Sequence, residues 1–187
     1  MNKYDIIGDI HGCADSLREL LGAMGYTLDN GMYQHSERQA VFLGDFIDRG
    51  TQQREVLDIV RPMIDNGSAL SVMGNHEFNA ICYATLDLNG NPIREHDKKH
   101  KGQHEEFLKT YPYGSEEYYD VIDWFKTLPA FLELDDILLV HACWDEDSIA
   151  CLKASLNSDN TFKDSAYLAY GDKSSVEYEA IEILLKG

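Results

Sequence analysis

Apolar residues recur along this chain in blocks whose period changes from two to about 3.6 and back. Lys3 to Gly8, Lys-Tyr-Asp-Ile-Ile-Gly, reads as a short strand ending in glycine. Leu17, Leu20, Leu21 and Met24 then fall at helical spacing, with Gly25 as the stop. Tyr26 to His35 reads as a hairpin turning at Asn30-Gly31. Ala40 to Leu43 is a second buried strand. Val56, Ile59, Val60, Met63 and Ile64 mark the inner face of a second helix, closed by Gly67. Pro62 is expected to kink that helix, because it has no N–H for the Asp58 carbonyl. Ala69 to Met73 is the third strand.

Residues 78 to about 120 are less regular, rich in Tyr and His, and are expected to form a helical cap. Val121 to Leu128 reads as a short helix stopped by Pro129. Phe131–Leu134 and Ile137–His141 flank Asp135-Asp136 as a second hairpin. Ser174 to Lys186, with a Ser174…Glu177 capping box, is an amphipathic helix. Strand–helix–strand–helix–strand, then helices and a strand pair, predicts an α/β fold with a central sheet.

The length of 187 residues fits one domain, and 44% hydrophobic with 26% charged residues is ordinary globular composition. The net charge of −17 changes the picture more, since it disfavours long nucleic acids and anionic membrane surfaces as partners. Apolar runs are too short to span a bilayer, and the N-terminus has no signal-like apolar stretch. Cys13, Cys82, Cys143 and Cys151 lack paired spacing, so reduced thiols in a cytoplasmic protein are expected.

Chemistry concentrates where strands end. The first strand runs into Gly8-Asp9-Ile10-His11-Gly12 and the second into Gly44-Asp45-Phe46-Ile47-Asp48-Arg49-Gly50. The third runs into Gly74-Asn75-His76-Glu77, and a later strand ends at His141. Carboxylates, imidazoles and one amide are thereby delivered to the carboxyl edge of a sheet, where α/β folds bind ligands. The mixed nitrogen and oxygen donors suit a first-row divalent metal better than calcium.

These three motifs, in this order and spacing, resemble the calcineurin-like metallophosphoesterases, in particular the phosphoprotein-phosphatase branch. A bacterial subgroup that includes diadenosine tetraphosphatases and phage-type serine/threonine phosphatases is the most similar part of it. The resemblance runs from residue 5 to about residue 145. It implies a central β-sandwich or mixed sheet flanked by helices, forming one domain over residues 1–187. It also implies two divalent metals, manganese first, with iron, zinc or nickel as alternatives. Asp9 and His11 would hold one metal, Asp45 would bridge, and Asn75 and His141 would hold the other.

The implied reaction is hydrolysis of a phosphomonoester or phosphoanhydride by a hydroxide shared between the two metals. A phosphoprotein or a dinucleoside polyphosphate would be the substrate. Two dications against Asp9 and Asp45 would leave the pocket locally cationic despite the global charge. Arg49 offers a planar fork for phosphate oxygens. His76 is placed to protonate the leaving oxygen, and Asp48 to orient His76.

The family pattern has one further histidine and a second arginine, yet no histidine follows His141 and no arginine follows Arg94. The last sheet strands are therefore expected to be missing at the C-terminal side and the second metal to be the weaker. A truncated or degenerate relative that binds phosphate, metal or a partner with little turnover is the alternative.

Outside the motifs, His96, His100 and His104 are expected on one helix face beside Lys98, Lys99 and Lys101, as a solvated helix or a substrate-facing rim. His104 joins Arg49 as a candidate substrate contact. Tyr111, Tyr113, Tyr118 and Tyr119 are read as closing a cap over a core, with base stacking as the alternative.

Overall fold

The computed structural model describes residues 3–187. Strands β1 (Tyr4–Ile7), β4 (Gln39–Phe42) and β5 (Ala69–Ser71) form a parallel three-stranded sheet in the order β1-β4-β5. Tyr4 pairs with Gln39 and Ile7 with Phe42, while Ala40 pairs with Ala69. Side chains alternate across this sheet, so each face has its own core. On one face Ile7, Ala40, Phe42 and Ala69 pack with Leu17 and Leu21 of helix α1 (Ala14–Ala23). Val56, Val60 and Met63 of helix α2 (Gln53–Asp65) join them. On the other face Val41 and Val72 meet Leu139, with Leu70, Leu132 and Leu134 packed around them. That second layer is an antiparallel hairpin, β6 (Phe131–Leu134) and β7 (Ile137–Val140). Helices lie on one side of the sheet and a strand pair on the other.

The remaining elements follow the sequence pattern with several shifts. Strands β2 (Thr27–Asp29) and β3 (Met32–Gln34) form the hairpin expected at Asn30-Gly31, where both residues have positive φ. Helix α3 (Asn75–Ala84) begins at the end of the third site loop. Helices α4 (Lys98–Gln103), α5 (Glu105–Thr110) and α6 (Glu116–Phe125) follow it. Helix α6 starts five residues before the Val121 expected, because the Ser115 side chain accepts from the Tyr118 N–H and caps it there. Pro62 lies in the last turn of α2, and the helix runs on to Asp65. Helix α9 (Val176–Lys186) is capped by Ser175, not by Ser174, whose hydroxyl instead bonds Asp172. Helices α7 (Glu146–Leu152) and α8 (Asp164–Tyr170) complete the chain.

The histidine face does not form. Asp97 caps α4 through the His100 N–H, which leaves His96 outside the helix, and His104 lies beyond its C-terminal end. His96 instead stacks on Tyr83, with ring centroids 3.7 Å apart. Tyr111 and Tyr118 are buried, whereas Tyr113 and Tyr119 are exposed.

Two close approaches between loops position everything that follows. A Cβ built on Gly44, whose φ is +87°, would overlap the backbone of Gly74, and one on Gly74 would overlap Asp45. The second pair is Gly12 and Gly50, each of which has no room for a Cβ against the other's backbone. Glu77 ties the same loops from below. Its Oε2 accepts from the Asp45 N–H at 2.8 Å and the Gly74 N–H at 3.1 Å, and its Oε1 accepts from the Phe46 N–H at 2.8 Å. Gln53 does the equivalent for the far end of the second loop. It accepts from the Asp48 N–H at 2.9 Å and donates to the Gly50 carbonyl at 2.5 Å.

These contacts set the order of sensitivity among glycines that look alike in the sequence. Gly74→Ala is expected to destabilise the fold by about 3 kcal/mol or more in urea unfolding, since the added carbon would lie 2.3 Å from the Asp45 backbone nitrogen as well as against the Asp45 and Glu77 carboxylates. Gly8→Ala, with nothing within 4 Å of the added carbon, should change stability by under about 1 kcal/mol. Glu77→Gln turns an N–H₂ group toward N–H donors and should cost about 2–3 kcal/mol in the same measurement.

Candidate active site

The loops after β1, β4 and β5 and the end of β7 meet at Asp45. Its Oδ2 lies 3.5 Å from His11 Nε2, 3.6 Å from His141 Nε2 and 3.9 Å from His76 Nε2. Asp9 Oδ2 is 3.5 Å from the same His11 nitrogen, and Asn75 Oδ1 is 3.2 Å from His141 Nε2. Two overlapping donor groups result, His11–Asp45–His76 and Asp9–Asp45–His141. Asp45 belongs to both. Asp45 and His11 are buried, whereas Asp9 is open to solvent.

Backbone carbonyls aim the histidines. His11 Nδ1 lies 2.9 Å from the Ile47 carbonyl and His141 Nδ1 lies 2.6 Å from the Leu43 carbonyl. A carbonyl only accepts, so each Nδ1 is the donor and each Nε2 is turned toward Asp45. Helix α9 steadies the same strand end, where the Ala142 N–H donates to the Leu184 carbonyl.

The donor set fits divalent cations. Asn75 Oδ1 faces the Asp45 carboxylate and His141 Nε2, acceptors against an acceptor; turning the amide over would place its nitrogen 3.1–3.2 Å from them. That rotation leaves His11 Nε2 as it is, a buried atom with no hydrogen-bond partner. A cation between these atoms satisfies both. Two carboxylates, two or three imidazoles and an amide oxygen are the mixture that first-row divalent ions accept.

The other predicted residues take up distinct places. His76 Nδ1 lies 2.6 Å from Asp48 Oδ2, and His104 Nδ1 lies 2.8 Å from Asp48 Oδ1. Burial pushes the Asp48 carboxyl up, but hydrogen bonds from His104 and His76 outweigh it and hold the group below its ordinary range. For His76, burial works against the charged ring; the Asp48 bond and the charges of Asp45, Asp48 and Glu77 prevail and raise it. His104 is buried and stacked on Phe107. Arg49 is exposed and makes no ion pair or hydrogen bond among the described residues.

Backbone strain gathers here as well. His11, Asp45, Asp48 and Arg49 all have φ between 46° and 68°, a region unfavourable for residues with a side chain. The loop contacts described above hold them there.

Glu77, Gln53 and the contact of His104 with Asp48 add to what the sequence reading places at the site. Glu77 was quoted within its motif, and a glutamate at the third position of a helix is a recognisable capping signal. Gln53 and the His104–Asp48 contact carry no local signal, since each depends on how the chain returns. Burial first, and then the charge of Asp45, push the Glu77 carboxyl up to about 7, against the backbone N–H bonds that lower it.

Comparison with known proteins bears on the family and the fold. The calcineurin-like phosphoesterase family model matches residues 3–180. Over 75 residues the chain is 48% identical to the bis(5'-nucleosyl)-tetraphosphatase PrpE [asymmetrical] of Oceanobacillus iheyensis. That alignment covers 40% of this chain and 30% of the relative. The enzyme of the same name from Bacillus subtilis is 42% identical over 92 residues, 49% of this chain and 36% of the relative. The aligned segment thus spans about a third of the curated relatives' length. A protein serine/threonine phosphatase from Saccharomyces cerevisiae shares the fold with a TM-score of 0.57 at 21% identity, over 96% of this chain and 48% of that one. With its matched motifs meeting at one sheet edge, the chain belongs to the calcineurin-like phosphoesterase family.

Proposed function

We propose that this protein hydrolyses a phosphoester or phosphoanhydride bond in a small phosphorylated molecule, using two divalent cations. The observation that carries the reading is Asp45, whose Oδ2 lies within 3.6 Å of both His11 and His141 and so joins two donor groups. Asp9 and His11 would hold one cation and Asn75 and His141 the other, with Asp45 contributing to each. Manganese is the first choice for a mixed nitrogen and oxygen set. When bound, the cations supply an activated water and offset the charge of the phosphoryl oxygens.

The chain's own residues then do the rest. Arg49, exposed and without an acidic partner, takes two phosphoryl oxygens in its fork. His76 holds a proton at Nε2 and delivers it to the leaving oxygen. Asp48 keeps the ring charged and turned inward through its 2.6 Å contact at Nδ1. His104, on the other Asp48 oxygen, fixes the carboxylate and is a positioning residue rather than a direct substrate contact. The names of the bacterial relatives support a dinucleoside polyphosphate as the substrate class, with a phosphoprotein as the competitor. Four unpaired cysteines support a reducing compartment, and we place the protein in the cytoplasm. No helix is long and apolar enough to cross a membrane among the described residues.

The reading is tested with Mn²⁺, 4-nitrophenyl phosphate and diadenosine tetraphosphate. The wild-type chain should gain thermal stability on addition of Mn²⁺ and hydrolyse at least one of the two compounds. Asp45→Asn should abolish both effects. His76→Ala should keep most of the Mn²⁺-dependent rise in Tm while kcat falls by about 10²–10⁴-fold. Mn²⁺ binding without hydrolysis of either compound would favour a phosphate-binding or degenerate relative.

A further inference from the structure

A groove of about 1260 Å³ leads away from Asp48, Asn75 and His76 along α3, past the segment 86–97 and α4, to the C-terminal helices. Nothing in the proposed chemistry accounts for its far wall. There Arg94 is held by two neutral side chains, donating to Asn79 Oδ1 at 2.8 Å and to Gln103 Oε1 at 2.8 Å. Its backbone N–H bonds the Cys82 carbonyl at 3.0 Å, which pins this stretch of chain against α3.

Charge pairing makes this arginine unusual for the molecule. In a chain of 33 acidic residues, Arg18, Arg38, Arg54 and Arg61 each pair with a carboxylate. Arg49 and Arg94 have no carboxylate within ion-pair distance among the described residues. Arg49 follows Asp48 in the loop after β4, and Arg94 lines the groove. Asp87, Glu95, Asp97 and Asp172 also line the groove, yet none of them comes within ion-pair distance of Arg94 among the described residues. The remaining guanidinium N–H groups of Arg94 are uncommitted.

Position along the helix says what could fill the site. Asn79 follows Asn75 by four residues on α3, so the Arg94 clamp lies about one turn, ~6 Å, along the axis from the metal-donor end. One phosphoryl group cannot occupy both places; a chain of phosphoryl groups can. We propose that Arg94, clamped by Asn79 and Gln103, is a second phosphate subsite that binds a phosphoryl group of the substrate which is not the one attacked. The proposal rests on the phosphoesterase reading for the direction of the substrate, and it narrows that reading to compounds with at least two phosphoryl groups.

Calorimetric titration of the full chain with inorganic tripolyphosphate and with orthophosphate tests it, with Mg²⁺ in excess of both ligands. Wild type should bind tripolyphosphate at least about tenfold more tightly than orthophosphate, the scale of one charge-assisted Arg–phosphate contact. Arg94→Ala should reduce tripolyphosphate affinity about tenfold while orthophosphate affinity moves less than twofold. Gln103→Ala, at an exposed position, loosens the clamp without touching the core and should give a smaller loss in the same direction. Equal losses for both ligands in Arg94→Ala, or an unchanged ratio, would overturn the subsite. Thermal unfolding of each variant separates a binding loss from misfolding. An Arg94-dependent ratio in a chain with no hydrolysis would overturn the catalytic reading and leave the subsite standing.

Discussion

Everything at this site depends on backbone approaching backbone. Gly44 meets Gly74, and Gly12 meets Gly50, with no space for a single carbon between the loops. Two loops from adjacent parallel strands cannot ordinarily lie so close, because side chains and unpaired N–H groups keep them apart. The glycines remove the first obstacle, and the Glu77 carboxylate removes the second by accepting from Asp45, Phe46 and Gly74. The approach in turn holds His11, Asp45, Asp48 and Arg49 in backbone conformations that they would leave if released.

The electrostatics follow from that geometry. Bringing Asp9, Asp45 and the buried Glu77 together leaves a concentration of negative charge that the protein does not neutralise with lysine or arginine. Burial first and then the charge of Asp45 raise the Glu77 carboxyl; against its burial, the Asp48 hydrogen bond with the charges of Asp45, Asp48 and Glu77 raises His76. A divalent cation relieves the negative charge, and the net charge of −17 then describes the outer surface rather than the pocket. Arg49 and Arg94 stand apart from this acidic background because neither is quenched, and both remain available to an anion.

Much of this was legible in the sequence, but unevenly. The parallel strands, the Asn30-Gly31 hairpin and the convergence of Asp9, His11, Asp45, Asn75 and His141 follow from periodicity and from motifs with fixed spacing. Local caps decided the errors. Asp97 starts a helix after His96 and the chain breaks again at His104, so a regular i, i+4, i+8 spacing did not become a shared face. Ser115 moved a helix start that apolar spacing had placed at Val121, and Ser175 rather than the Ser174 of the expected capping box caps the last helix. Gln53 and the Arg94 clamp stayed hidden for a different reason. Their meaning lies in partners that only the tertiary fold supplies.

The hydrogen bond from His141 to the Leu43 carbonyl, spanning 98 residues, has a consequence for the order of events during synthesis. The chain leaves the ribosome from its N-terminus, so Asp9, Asp45 and Asn75 emerge well before the imidazole that faces them. Until β7 has formed and docked its Leu139 under the sheet, the nascent protein exposes carboxylates without their final arrangement. Completion of the donor set is then a late event in folding, because His141 joins Asp9, Asp45 and Asn75 only once the last strand of the hairpin is in place.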